Sequence, residues 1–354
     1  MVKAAAILVG LALAMMASRV PAPEPELSVR LADSLRVEVS LSAEGWLAPR
    51  RISIYRSTSR FDRDPDTFAL PVTVREFLRV GTGEGVLAFE DTMVAHNARY
   101  FYRARLELPD GSVSWTGMDS VDTPDASLGA ITGSSLLVDK LNYFLAVRCG
   151  GVTRKRYPVA LGRRPQERKL HQDNATTPEG IYRIGSEQPQ ARFYKAFDLD
   201  YPSLADRTRY RFALEQGLVP KQGGAPAGIG GEIQIHGEGI GSNWTHGCIA
   251  LRNEDIDELF AHPRVGRGMP VYVVGSELTR LDIQSIKDYR PKLELQAFQR
   301  RLAELGLYEG RIDGEVGRGM RVALAAFQHR RGLPVTAELD RRTVAELRQP
   351  AGPD

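Results

Sequence analysis

One cysteine in this chain stands among residues able to activate it. Cys248 lies in Thr245-His246-Gly247-Cys248-Ile249-Ala250-Leu251, and His236 closes the run Ile233-Gln234-Ile235 just upstream. A thiolate attacks acyl carbon readily, but a free thiol is mostly protonated near neutral pH and needs a neighbouring base. Imidazole supplies one. Gly237, Gly239 and Gly241 let the intervening link fold back, because glycine accepts positive-φ turns. If the two flanking runs are neighbouring strands, His236 and Cys248 face each other across them. Gly247 carries no side chain, so its amide and that of Cys248 are candidate donors to an oxyanion hole. The His246 ring either packs beside the thiol or contacts substrate, and its main-chain amide is the surer contributor. Zinc held by His236, His246 and Cys248 is the competing use of these residues. Their spacing lacks the short paired repeat of zinc sites, so no metal or other cofactor is expected.

The surrounding sequence predicts the elements that position this group. Asn253 precedes Glu254, Asp255 and Asp257 and the apolar Ile256, Leu259 and Phe260. That order predicts a helix capped by Asn253, with its positive end lowering the thiol pKa. Upstream, Leu136 to Val138, Tyr143 to Val147 and Val159 to Leu161 read as strands, and Thr177-Pro178-Glu179-Gly180 as a turn into the strand Ile181 to Ile184. Residues 131–275 therefore form a mainly β domain with one or two helices. Before it, 26–123 reads as all-β, with period-two alternation around Tyr100, Tyr102 and Ala104 and a hairpin turn at Asp110-Gly111. After it, 290–348 reads as helical. Leu295, Phe298, Leu302 and Leu305 line one face, Gly306 stops the first helix, Val322, Ala323, Ala326 and Phe327 mark a second, and Val344 and Leu347 a third.

Composition bounds the function. A hydrophobic share of 42% supplies material for several modest cores, and a net charge of +3 gives no electrostatic case for nucleic acid. Basic residues gather at Arg154, Lys155, Arg156, Arg163, Arg164, Arg168 and Lys169. They read as a solvated hairpin rim, with attraction to a carboxylate-rich polymer as the functional alternative. Lys3 and the uncharged run Ala4 to Ser18 make 1–22 a signal peptide or anchor, short for a spanning helix. The chain is thus expected in the periplasm or cell envelope. Cys149, in Arg148-Cys149-Gly150-Gly151, reads as an incidental thiol at a hairpin tip.

His-Gly, a glycine-rich interval and Thr245-His246-Gly247-Cys248-Ile249 together resemble the signature of the YkuD-type L,D-transpeptidases. Leu137-Val138-Asp139-Lys140, Tyr157 to Gly162 and Thr177 to Tyr182 resemble that domain's earlier anchors, in the same order. Residues 307–314, with Ala325-Ala326-Phe327-Gln328 and Gly332-Leu333, resemble the three-helix peptidoglycan-binding domain. One departure is Gly317-Arg318-Gly319-Met320, where that family usually has Gly-Pro-x-Thr. Phe89 to Thr92 leading into Arg99 to Arg103 resembles the late strands of a fibronectin type III sandwich, with Tyr100 or Tyr102 as its corner tyrosine. These resemblances imply a multidomain chain: β-sandwich, mainly β L,D-transpeptidase domain and small helical wall-binding domain.

The catalytic resemblance implies that Cys248 attacks the carbonyl of a meso-diaminopimelate before a terminal D-residue, with His236 as base. The Gly237 carbonyl would hold the imidazole tautomer, and the amides of His246, Gly247 and Cys248 would line the oxyanion hole. Gly237, Thr245 and Arg252 fall on the substrate side. The acceptor is another diaminopimelate, a protein lysine or water, so partners are peptidoglycan stem peptides and wall-linked lipoprotein. Many family members carry Arg directly after Cys-Ile; here it is Ala250, and Arg252, two residues on, is expected to grip a substrate carboxylate instead. Hydrolysis of the same bonds and a non-catalytic wall scaffold are the alternatives.

Overall fold

The computed structural model describes residues 25–42, 49–61, 70–76, 86–131, 133–150, 152–276, 278 and 292–349. The expected signal segment at 1–22 lies outside them. The chain falls into two compact units that part near residue 123, with 93–98 belonging to the second.

The first unit holds β1 (Glu26–Asp33), β2 (Arg36–Ser42), β3 (Arg51–Ser57), β4 (Leu70–Glu76), β5 (Val86–Asp91), β6 (Arg99–Glu107), β7 (Val113–Trp115) and β8 (Asp119–Asp122). One sheet runs β1-β2-β5; the other runs β4-β3-β6-β7, with β8 also on β6. Alternation decides which side chains fill the sandwich: Val37, Val39 and Leu41 from β2, and Tyr100, Tyr102, Ala104 and Leu106 from β6, are buried. The Asp110-Gly111 turn joins β6 to β7, with Gly111 at φ +83°. Tyr102 departs from the expected corner geometry. Its hydroxyl donates to the Asp91 carboxylate at 3.0 Å, not to main chain, and Asp91 also accepts from Arg56 at 2.6 Å.

The second unit begins with β9 (Ser134–Asp139), β10 (Phe144–Cys149), β11 (Val152–Pro158), β12 (Gly180–Ala191) and β13 (Tyr194–Leu199). Then come α1 (Leu204–Glu215), the short β14 (Lys221–Gln222) and β15 (Ala225–Pro226), β16 (Gln234–His236), β17 (Ile249–Ala250), α2 (Asn253–Ala261) and β18 (Pro270–Val274). Eight strands form one sheet in the order β11-β10-β9-β18-β12-β13-β16-β17. Its central strands are buried on both faces, which explains the unbroken apolar runs: Leu136 and Val138 pack into one core, Leu137 into another. Val159 to Leu161, expected as a strand, is instead a single bridge. Ala160 and Ala250 exchange two backbone hydrogen bonds, at 3.0 and 2.9 Å, which stitch the last strand to the chain just past the first. Cys149 ends β10 as a buried free thiol, 3.4 Å from the Ser134 hydroxyl.

The basic run does not form one solvated rim. Lys155 is buried and bonds Asp125 and Glu258 at 2.8 and 2.7 Å. Helix α1, rich in arginine, carries little apolar pattern. It is nucleated by a Ser203 cap that exchanges hydrogen bonds with Asp206.

The last segment holds α3 (Lys292–Glu304), α4 (Arg318–Arg330) and α5 (Arg341–Leu347). Phe298, Leu302, Leu324, Phe327, Val344 and Leu347 form its core. Gly306 ends α3's run at φ +67°. Val322, read as part of the apolar face, is exposed, and Met320 and Leu324 take that role. Two glutamines are fully buried and tie the loops. Gln299 bonds Asp313 at 2.8 Å and the Gly314 amide at 2.8 Å. Gln328 accepts from the amides of Thr336 and Ala337 at 2.9 and 2.8 Å. This segment packs on α1: Ala205 clusters with Ala325, Val335 and Ala337, and the Phe212 and His329 rings stand 3.9 Å apart.

Candidate active site

β16 lies between β13 and β17, and its pairing with β17 is parallel, placing Ile235 beside Ile249 and His236 beside Ala250. Continuing that register sets Cys248 opposite Gln234. Cys248 directly precedes β17, and His236 closes β16 alongside it. Both line a cleft of about 890 Å³, together with Trp244, His246 and Lys169. A main-chain bond from Leu251 N to His236 O, 2.8 Å, locks the two strand ends together.

The ring of His236 is held on every side but one. Its Nδ1 lies 2.8 Å from the Gly237 carbonyl. A carbonyl only accepts, so Nδ1 carries the proton and Nε2 is the bare base. Phe193 and Trp244 flank the ring at 5.0 and 5.4 Å between centroids. Burial lowers the His236 pKa, with the Gly237 carbonyl and the Glu238 charge opposing in part, so the imidazole is neutral at pH 7. Nε2 is buried and has no hydrogen-bond partner among the described residues. Gly237 is required here: a Cβ would sit 2.6 Å from Asn253 Oδ1 and 3.1 Å from Tyr194 Cβ. Its part is to orient His236, and it does not line the cleft.

The thiol of Cys248 does not bond His236 directly. It donates to the Glu232 carbonyl at 3.4 Å. Burial pushes its pKa up, against the Gln234 amide and the Lys169 ammonium. The expected depression by a helix end is therefore not the net outcome. Asn253 does not cap α2 either: the cap position is Arg252, whose side chain makes no capping bond, and Asn253 Oδ1 accepts from the Glu238 amide at 2.9 Å.

The loop that carries Cys248 is tied from inside. Thr245 is buried; its hydroxyl donates to the Cys248 carbonyl at 2.8 Å and accepts from the Gly247 amide at 3.2 Å. Thr245 therefore shapes the loop through its hydroxyl and does not offer that group to a ligand. Gly247, expected as an oxyanion donor, already has its amide engaged. It sits at φ +140°, and a Cβ there would lie 2.9 Å from the Thr176 carbonyl. His246 is exposed at the cleft wall. Thr177 joins the Thr-Pro-Glu-Gly turn to the site: it accepts from the Gly162 amide at 2.9 Å and reaches the Cys248 carbonyl at 3.4 Å.

Arg252, expected to grip a substrate carboxylate, is engaged within the protein. β17 ends at Ala250, so strand alternation does not extend to Arg252. Its guanidinium grips Asp255 at 2.6 and 2.9 Å and the Asn97 carbonyl at 2.7 Å, and it does not line the cleft. The cations that do line it are Lys169, Arg163 and Arg192. The first two were visible only as members of a basic run; Arg192 and Phe193, at the β12–β13 turn, carried no sequence signal. Among the described residues, no group of three or more His, Cys, Asp or Glu side chains is arranged to hold a metal ion.

Comparison with known proteins follows this geometry. Residues 133–273 match the L,D-transpeptidase catalytic domain family YkuD, and residues 292–347 match the putative peptidoglycan binding domain family. A curated relative, the putative OxPP cycle protein OpcA of Synechococcus elongatus, is 41% identical over 75 residues, which is 21% of this chain and 16% of that protein. Most of that relative's length has no counterpart in the match. A crystal structure of the L,D-transpeptidase (residues 123-326) from Xylanimonas cellulosilytica is 14% identical, covers 41% of this chain and 62% of that one, and has a TM-score of 0.27. The L,D-transpeptidase 1 of Mycobacterium tuberculosis is 15% identical over 54% of this chain and 78% of that one, with a TM-score of 0.25. TM-scores this low carry no weight; the family matches do. The segment that places His236 beside Cys248 is a YkuD-type L,D-transpeptidase catalytic domain, and the helical segment behind it is a peptidoglycan-binding domain.

Proposed function

We propose that this chain is a cysteine-dependent acyltransferase of the cell envelope, acting on peptidoglycan stem peptides through a Cys248 thioester. One observation carries the reading: the Gly237 carbonyl pins His236 in the tautomer whose Nε2 is bare, buried and, among the described residues, unpartnered, in the same cleft as Cys248. In the first step the thiol turns from the Glu232 carbonyl to Nε2 and gives up its proton. Sulfur then bonds the carbonyl carbon of a meso-diaminopimelate, the amide bond to the terminal D-residue breaks, and His236 returns the proton to the leaving amine. With the Gly247 amide engaged by Thr245, the amides of His246 and Cys248 are the donors assigned to the developing oxyanion. In the second step an acceptor amine, from another diaminopimelate or a protein lysine, attacks the thioester. The new amide forms, the carbon–sulfur bond breaks, and the proton passes through His236 back to sulfur. Water in place of the amine gives hydrolysis. The peptidoglycan-binding domain would hold the chain on its polymer, in keeping with export by the N-terminal segment.

The test is incubation of the full chain with defined muropeptides, weighing protein and products by mass spectrometry. The expected result is an acyl adduct on Cys248 and a product set that names the acceptor. Turnover undiminished in Cys248→Ala would sink the reading.

A further inference from the structure

Three basic side chains line the cleft beside Cys248, and among the described residues the most buried of them makes no salt bridge. Lys169 is half-buried, whereas Arg163 and Arg192 stand exposed at the wall. Its Nζ donates to the Gln172 carbonyl at 3.1 Å and lies 3.5 Å from the His246 carbonyl, leaving donor capacity of the ammonium toward the cleft. Among the described residues no carboxylate pairs with it. Of the two acids lining the cleft, Asp198 accepts from Ser186, Gln188 and Gln234, and the exposed Glu232 makes no ion pair with Lys169. A half-buried ammonium without a partner is disfavoured, and burial does lower the Lys169 pKa.

Its position is specific. A Cβ built on Gly247 would lie 3.5 Å from Lys169 Nζ, so the ammonium rests against the residue that precedes the nucleophile. In the proposed substrate, the free carboxylate of the terminal D-residue lies one residue beyond the attacked carbonyl, about 4 Å along the chain. The two positions where the sequence pattern sought a carboxylate receptor are both vacated: Ala250 has no charge and Arg252 is held by Asp255.

We infer that Lys169 is the specificity residue of this site, binding the terminal carboxylate of the donor stem peptide while its penultimate carbonyl meets Cys248. This rests on the stem-peptide reading above and adds the receptor that the motif lacks. The carboxylate replaces water around Nζ with a charge-assisted bond and sets the distance from chain end to thiol. It makes the site an exo-acting one, which reads the end of the stem.

Binding tests this without requiring turnover. The full chain carrying Cys248→Ala is titrated calorimetrically with a diaminopimelate-containing tetrapeptide bearing a free terminal carboxylate, and with the same peptide as its terminal amide. The free acid should bind at least tenfold tighter than the amide. Adding Lys169→Gln should erase that ratio, and Lys169→Arg should restore most of it, which a merely structural role would not do. A preference that survives Lys169→Gln overturns the inference, as does equal binding of acid and amide by the Lys169 protein. The stem-peptide chemistry is judged separately, by acylation of the Cys248 protein. A Lys169-dependent preference without any thioester keeps the receptor and removes the acyl transfer, whereas a thioester without the preference does the reverse.

Discussion

Two buried polar side chains, treated in opposite ways, divide this molecule into a part that holds and a part that acts. Gln328 in the helical segment is fully buried, and partners surround its amide: two main-chain amides on Oε1, with Thr336, Asp340 and Thr343 within reach of Nε2. His236 is as deeply buried, yet only Nδ1 is bonded and Nε2 has nothing. A small three-helix core gains by saturating its interior polar groups, because each unsatisfied one costs about 1–3 kcal/mol. A base must do the opposite. An Nε2 already bonded to a group other than the thiol would have to give up that bond before taking the thiol proton.

The comparison can be broken from its functional side first. Cys248→Ala should lower acyl transfer by on the order of 10⁴-fold or more while leaving the thermal melt unchanged, as measured on defined muropeptides. His236→Phe should cost about 10²–10⁴-fold, since it removes general-base help and keeps an aromatic ring between Phe193 and Trp244. The same substitution should lower unfolding free energy by no more than about 1–3 kcal/mol, the cost of orphaning the buried Gly237 carbonyl. Gln328→Leu should reverse the balance: about 3 kcal/mol or more lost in denaturant melts of the helical segment, from orphaning the Thr336 and Ala337 amides, with Cys248 alkylation unaltered. A His236→Phe chain that unfolds, or a Gln328→Leu chain that melts like the parent, would erase the distinction.

The smallest effect is in pH. Burial holds the His236 pKa below the ordinary 6.5, so the base is still neutral there and is protonated only at lower pH. The acid limb of kcat/KM should therefore lie below 6.5. The Cys248 pKa is raised above the ordinary 9.0, so the thiolate alone forms only in stronger alkali. Alkylation of Cys248 in the His236→Phe chain should accordingly rise only above pH 9.0.

Much of this was legible in residue order. Strand pairing around His236 and Cys248 followed from apolar runs on either side of a glycine-rich link, and the helical segment from apolar spacing. Loop hydrogen bonding was not. Nothing in Thr245-His246-Gly247-Cys248 tells that the threonine hydroxyl turns inward and captures the Gly247 amide. Arg252 illustrates the same limit. Alternation places it beside Ala250 only if the strand continues, and the strand ends where α2 begins. Lys169 was hidden by averaging: a basic run reads as one solvated face, although Lys155 folds inward to Glu258 and Lys169 enters the cleft. The buried, loop-tying roles of Gln299 and Gln328 were not legible because composition counts glutamine as surface.

The two hydrogen bonds between Ala160 and Ala250 act as a clasp on a hoop. They join the sheet's last strand to the segment that leaves its first, two residues past the nucleophile. A sheet fastened there presents less unpaired backbone to a neighbouring chain, a safeguard against sticking edge to edge. The clasp also fixes the thiol's footing to the integrity of the whole ring. Parting of this one bridge would free the Ala250 amide to exchange and slacken the chain two residues past Cys248.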